Sequence, residues 1–183
     1  DRHITCLFDG PLENTSTYIN DLPDGFESVM AVFYPSMQIG RKKLALQSDA
    51  EILGQINVGL LSCIFMFRAI FNKYDNLPGS FVVLGSEAAK FGGNQISIYA
   101  TAKGGLLSFV KGVAKEIGVS KKRINIISPS IIKTKTLENL YSSDDIQRME
   151  KTIPLGVCGE IDDLVSAIFW LLSKESKFVT GSE

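Results

Sequence analysis

Three short stretches of this chain are nearly all apolar: Ile4–Phe8, Val29–Tyr34 and Ser80–Gly85. A fourth, Arg123–Ser128, sets isoleucines between its polar residues and ends at Pro129. A strand with one wet face alternates polar and apolar positions, so dense apolar runs of this length predict strands covered on both sides. Long proline-free stretches alternate with them. Ser48 to Tyr74 and Ile98 to Ile117 are predicted helices, as is Ile161 to Leu172, whose leading Glu160, Asp162 and Asp163 favour a positive helix N-terminus. Ser48 and Glu51 have the spacing of a capping box, and Asn14 to Thr17 offer caps for a short helix. Strands alternating with helices imply βαβ units, hence an α/β fold with a doubly wound parallel sheet. No repeat or linker interrupts the pattern, so residues 1–183 are expected to form a single domain.

Composition narrows the function. The formal net charge is −1, which provides no basic field for nucleic acid or an anionic membrane surface. The longest dense apolar run, Gly59 to Phe71, is too short by itself to span a bilayer, so no membrane partner is expected. Cys6, Cys63 and Cys158 lie far apart without a CxxC pair, arguing against a zinc site or a disulfide framework. With His3 as the single histidine, a Ser-His-Asp hydrolase or a His-based metal site is disfavoured, and no metal is expected. The default expectation is a soluble protein of the reducing cytoplasm.

Parallel sheets bind ligands at the carboxyl ends of their strands. Asp9-Gly10, Ser86 and Ser128-Pro129-Ser130 fall at such ends. On the second long helix, Tyr99 and Lys103 stand four residues apart, on one face. A phenol of pKa about 10 is a poor acid at neutral pH, and a neighbouring ammonium lowers that value by roughly 1–3 units. The pair is therefore a candidate general acid/base, although the same spacing also describes an ordinary packing pair on a helix surface.

The wider text is more specific. Phe81-Val82-Val83-Leu84-Gly85-Ser86, then Tyr99-Ala100-Thr101-Ala102-Lys103-Gly104-Gly105-Leu106, then Arg123-Ile124-Asn125-Ile126-Ile127-Ser128-Pro129 resembles the short-chain dehydrogenase/reductase family, and its 3-oxoacyl carrier-protein reductases in particular. Ser86 precedes Tyr99 by 13 residues, and Asn57, within Ile56-Asn57-Val58-Gly59, precedes Ser86 by 29, as in that family. Ile153-Pro154-Leu155-Gly156 and Val179-Thr180-Gly181 match two further blocks. The resemblance implies a Rossmann-type fold and hydride exchange between NAD(P)(H) and a ketone or secondary alcohol. Tyr99 is then the general acid/base, Lys103 binds the nicotinamide ribose and lowers the tyrosine pKa, and Ser86 binds the carbonyl. Asn57 interrupts its helix to hold a relaying water. Cofactor contacts are implied for Asp9, Gly10, Ser36, Tyr99, Lys103, Pro129, Ser130, Ile132 and Thr134. NADPH or NADH is the implied cofactor, with NADP favoured. A small-molecule or acyl-thioester carbonyl compound is the implied substrate. Residues 135–151 correspond to the family's substrate lid, and helices around 54–71 and 102–117 to its dimer or tetramer interfaces.

Three departures accompany the match. No glycine-rich phosphate loop occurs in these residues, so the chain reads as lacking the family's first βαβ unit, and its final strand as well. Ser130 stands where the family has glycine, which is expected to restrict the turn. Phe33-Tyr34-Pro35-Ser36 replaces an Asn-Asn-Ala-Gly motif, so bulky Phe33 and Tyr34 are expected to narrow the cofactor cleft and Pro35 to remove a backbone donor. These departures leave a second reading open: a relative that serves as a binding or assembly subunit.

Overall fold

The computed structural model describes residues 15–35 and 41–183. The expected strand at Ile4–Phe8 lies outside them, as do Asp9, Gly10 and Ser36. In chain order the elements are α1 (Thr15–Asn20), β1 (Val29–Phe33), α2 (Asp49–Ile56), a π-helical turn (Asn57–Leu61), α3 (Ser62–Lys73), β2 (Gly79–Leu84), α4 (Ala88–Phe91), α5 (Ser97–Ile117), β3 (Lys122–Ile127), α6 (Lys135–Leu140), α7 (Ser143–Glu150) and α8 (Ile161–Leu172). The described strands form a parallel sheet in the order β1-β2-β3, with Phe33 opposite Val83 and Leu84 opposite Ile127. Their carboxyl ends therefore share one edge.

Side-chain alternation along the strands divides the two faces. Phe33, Phe81, Val83, Ile124 and Ile126 point into the main core, where α3 and α5 contribute Cys63, Phe67, Leu106 and Val110. Phe67 is the hub: its ring lies 5.2 Å from Phe81, 5.7 Å from Phe109 and 5.9 Å from Phe33. Phe33 is consequently a core residue and does not narrow the cleft. An apolar ring at the end of a five-residue strand gains more by joining that cluster than by facing a polar cleft. On the opposite face α8 covers β2: the Ser80 hydroxyl donates to Leu171 O at 2.9 Å. Arg123 donates to Leu171 O, Ser173 O and Val179 O, and buried Asn125 donates to Val179 O and accepts from Ser182 N. The polar residues of β3 thus tie down the helix end and the segment that follows it. That segment lies beside β3, with Gly181 N on Ile124 O and Ile126 N on Ser182 O.

The α2–π–α3 helix, Asp49–Lys73, is 25 residues long. It exceeds the apolar run read from the sequence, and by length and composition it could cross a membrane. Its inner face is committed to the core through Cys63, Phe67, Ala69 and Ile70, while Leu53 and Val58 are exposed. The Ser48–Glu51 capping box is formed at its start.

Candidate active site

Lys103 is 3 % exposed and spans two strand ends. Its Nζ donates to Leu84 O, at the end of β2, and to Pro35 O, just beyond β1, at 3.2 Å each. An ammonium out of water needs such partners. Even so, burial lowers its pKa from 10.5 to about 8. The carbonyl of Pro35 is therefore used, although the residue has no N–H to give.

Tyr99 stands one turn before Lys103 on α5, half-buried, with the ammonium 5.8 Å from the ring centroid. Burial raises its pKa; a hydrogen bond with the Ser86 hydroxyl pulls it down, and the nearby Tyr34 phenol raises it further. The expectation that Lys103 lowers the phenol pKa is not met. Desolvation outweighs the opposing influence, and the lysine hydrogens are directed at backbone carbonyls. Ser86 follows β2 and also accepts from Ala88 N at 3.2 Å, opening α4. Gly85 before it is required by close approach: a Cβ there would lie 2.7 Å from Ser128 Oγ.

The structure thus brings Ser86, Tyr99 and Lys103 together at the carboxyl edge of the sheet. Asn57 is different. It is exposed, and among the described residues its side chain makes no hydrogen bond to the other three. Its backbone begins the π turn, where Ser62 N reaches Asn57 O instead of Val58 O. The Ser62 hydroxyl takes the freed Val58 O at 2.6 Å. A π turn is a frequent mark of a functional position in a helix. Opposite it, Gly105 of α5 lies so close that a Cβ would meet Leu60 Cδ2 at 2.8 Å.

The segment from Pro129 to Thr134 crosses the same edge. Ile132 pairs with Gly159 in an isolated parallel bridge, Gly159 N donates to Ile131 O, and Lys133 N donates to Gly159 O. Thr134 caps α6, its hydroxyl oxygen accepting from Leu137 N at 3.2 Å. Ser130 does not strain the turn: the described non-glycine residues with positive φ are Gln95 and Lys121. The Ser130 hydroxyl instead donates to Glu87 Oε1 at 2.8 Å, a contact that sequence reasoning missed. Residues 135–151, expected to be a lid, form α6 and α7, with Arg41 stacked 5.7 Å from the Tyr141 ring between them.

Comparison with known proteins places the chain among relatives of similar sequence and fold. A family model described as enoyl-(acyl carrier protein) reductase matches residues 24–183. The chain is 33% identical over 145 residues to the 3-oxoacyl-[acyl-carrier-protein] reductase of Bos taurus, covering 78% of this chain and 59% of that protein. It is 28% identical over 157 residues to the D-erythrulose reductase of Gallus gallus, covering 85% of this chain and 61% of that protein. Among solved structures, a 4-hydroxyisoleucine dehydrogenase complexed with NADH superposes with a TM-score of 0.77 at 25% identity, covering 82% of this chain and 64% of that one. The chain spans about three fifths of the length of the curated relatives it matches. With the family model matched over most of its residues, the chain belongs to the short-chain dehydrogenase/reductase family.

Proposed function

We propose that this chain is the catalytic part of an NAD(P)(H)-dependent oxidoreductase that interconverts a ketone and a secondary alcohol, acting as a ketoreductase on a small-molecule or acyl-thioester carbonyl compound. The observation that carries the reading is the grouping of Ser86, Tyr99 and Lys103 at one sheet edge, with the lysine buried against two backbone carbonyls. Names of relatives support it: they are reductases of 3-oxoacyl and sugar carbonyl groups, and a structural neighbour was solved with NADH.

The residues present fit the nicotinamide end of such a cofactor. Two Lys103 hydrogens are engaged by Leu84 O and Pro35 O, which leaves one for a ribose hydroxyl. The Thr134 oxygen is used as a cap acceptor, so its hydrogen remains available for a carboxamide oxygen, beside the backbone of Ile132 and the turn at Pro129 and Ser130. Asp9, Gly10 and Ser36 would serve the adenine side. Held there, such a cofactor would supply the hydride chemistry at the carbonyl carbon. Ser86 holds the carbonyl oxygen by hydrogen bonding as negative charge grows there. Tyr99 delivers its proton to the oxygen; burial, which raises its pKa, works against that transfer, and the Ser86 hydroxyl offsets part of the cost. Lys103 keeps positive charge beneath the phenol, and Asn57 at the π turn relays protons towards it through water. NADPH is the favoured donor.

The setting we propose is the reducing cytoplasm, consistent with free thiols at Cys63 and Cys158. The exposed apolar residues of Asp49–Lys73, with α5 beside them, support a homodimer or homotetramer. The deciding experiment is turnover of 3-oxoacyl thioesters and small ketones with NADPH and NADH, by the wild type and Tyr99→Phe. Removing one general acid should lower kcat roughly 10²–10⁴-fold with the fold retained. A wild type that binds cofactor but reduces no carbonyl compound would replace this reading with that of an assembly subunit.

A further inference from the structure

The carboxyl edge of the sheet contains a contact that the reaction chemistry does not require. Glu87, the residue after Ser86, holds the Pro129–Thr134 turn at two points: Glu87 N donates to Pro129 O at 3.1 Å, and Ser130 Oγ donates to Glu87 Oε1 at 2.8 Å. The other side of the turn is fixed separately, by the bonds of Ile131 and Lys133 to Gly159. Between these anchors, Ser130 has a backbone open to any residue, so its hydroxyl adds a bond without a conformational cost. The geometry points to Glu87 and Ser130 as positioning residues, a clasp that keeps the turn at a fixed distance from Ser86.

The physical argument concerns which surfaces must stay in register. Ser86 follows β2 by two residues, and its hydroxyl oxygen already accepts from Ala88 N. The turn follows β3. The sheet register joins Leu84 to Ile127, but beyond those residues the two segments leave the ladder. One backbone bond, Gly85 N to Ile127 O at 2.7 Å, continues it by a residue. Past that point the Glu87 bonds are what ties the carbonyl-binding serine to the segment assigned to the carboxamide. Through this tie, order in the turn becomes order between two halves of one site, and preorganisation of that kind improves ligand affinity by reducing the entropy lost on binding. The functional consequence rests on the reductase reading; the clasp itself does not.

Both can be tested on the full chain with Glu87→Ala, Ser130→Ala, the double variant and Glu87→Gln, which keeps an acceptor oxygen. Hydrogen exchange is read by mass spectrometry over the peptide covering residues 129–134, with no ligand present. Loss of one solvent-accessible hydrogen bond should speed exchange there about three- to tenfold in either alanine variant. Because one bond is shared, the double variant should exchange no faster than the single ones, and Glu87→Gln should remain near the wild type. Unchanged exchange in the alanine variants, or additive effects in the double variant, overturns the clasp. In Glu87→Ala, Kd and KM for NADPH or NADH should rise by about the same factor while kcat changes less than about twofold, and Glu87→Gln should keep the wild-type affinity. Affinity that stays constant while exchange accelerates overturns the positioning role. A wild type that binds neither cofactor refutes the reductase reading, and the exchange comparison then still decides the clasp.

Discussion

Lys103 makes a prediction about stability that does not depend on finding a substrate. Its ammonium is buried against Leu84 O and Pro35 O, and its pKa falls from 10.5 to about 8 because burial disfavours the charge. Between those two values the unfolded chain still holds the proton that the folded chain has released. Stability therefore rises with pH across that window, and below about pH 8 the whole cost of keeping the cation buried is present. At about 1.4 kcal/mol per pKa unit, that cost is on the order of 3 kcal/mol. Lys103→Met removes the titration while keeping an unbranched side chain in the same space. It also leaves two carbonyls without the lysine, a loss of about 1–3 kcal/mol each that does not vary with pH. Urea unfolding of both proteins, followed by Trp170 fluorescence, should show the wild type gaining about 3 kcal/mol on the variant from about pH 7 to about pH 10.5. Titrating groups not coupled to Lys103 are common to both and cancel in the difference; the Cys63 thiol, which interacts with the ammonium, is pushed up to about 12 by burial and stays protonated over this range. Parallel stability curves would refute the reasoning, because they would mean that Lys103 is solvated in the folded state.

Two further substitutions test the packing that holds the site. Phe67→Ala removes the ring on which Phe33, Phe71, Phe81 and Phe109 converge and should cost about 3–5 kcal/mol in denaturant unfolding; a loss under about 1 kcal/mol would mean that the cluster re-collapses freely. Gly105→Ala places a methyl 2.8 Å from the end of the Leu60 side chain, which must shift, while alanine is favoured over glycine inside a helix by about 1 kcal/mol; the two offset, and the unfolding midpoint should report a net change under about 1 kcal/mol.

Much of this arrangement is legible in the sequence, and where it is not the reasons are specific. The three described strands fall within a residue of their predicted ends, and the helix at Ile161–Leu172 matches its predicted span. Dense apolar runs and capping residues are local signals that tertiary packing reinforces. The helix at Ala88–Phe91 has no periodic signal in the sequence, because four residues are too few to show one; the Ser86 hydroxyl bonded to Ala88 N opens it. Phe33 was expected in the cleft although the period-two signal was available: Val29, Ala31 and Phe33 share a strand face, and that face meets α3. The pKa of Tyr99 was beyond reach for a different reason. Helix spacing brings Lys103 near the phenol, but only the packed structure shows that the ammonium is turned towards Leu84 O and Pro35 O and that burial decides the balance.

The replacement of the Asn-Asn-Ala-Gly motif now has a physical reading. The group used by the site at this position is a main-chain oxygen, the carbonyl of Pro35, which binds the buried lysine. Any residue supplies that oxygen, proline included, provided that the chain leaves β1 along the same path. Proline favours that path, because its ring fixes φ and it restricts Tyr34 before it to extended geometry. Phe33 then anchors the strand end in the aromatic cluster, a contribution that a polar side chain could not make to an apolar core. Tyr34 remains exposed beside Tyr99. Aromatic packing and a stiffened backbone therefore hold this strand end, and the lysine has both of its carbonyl partners.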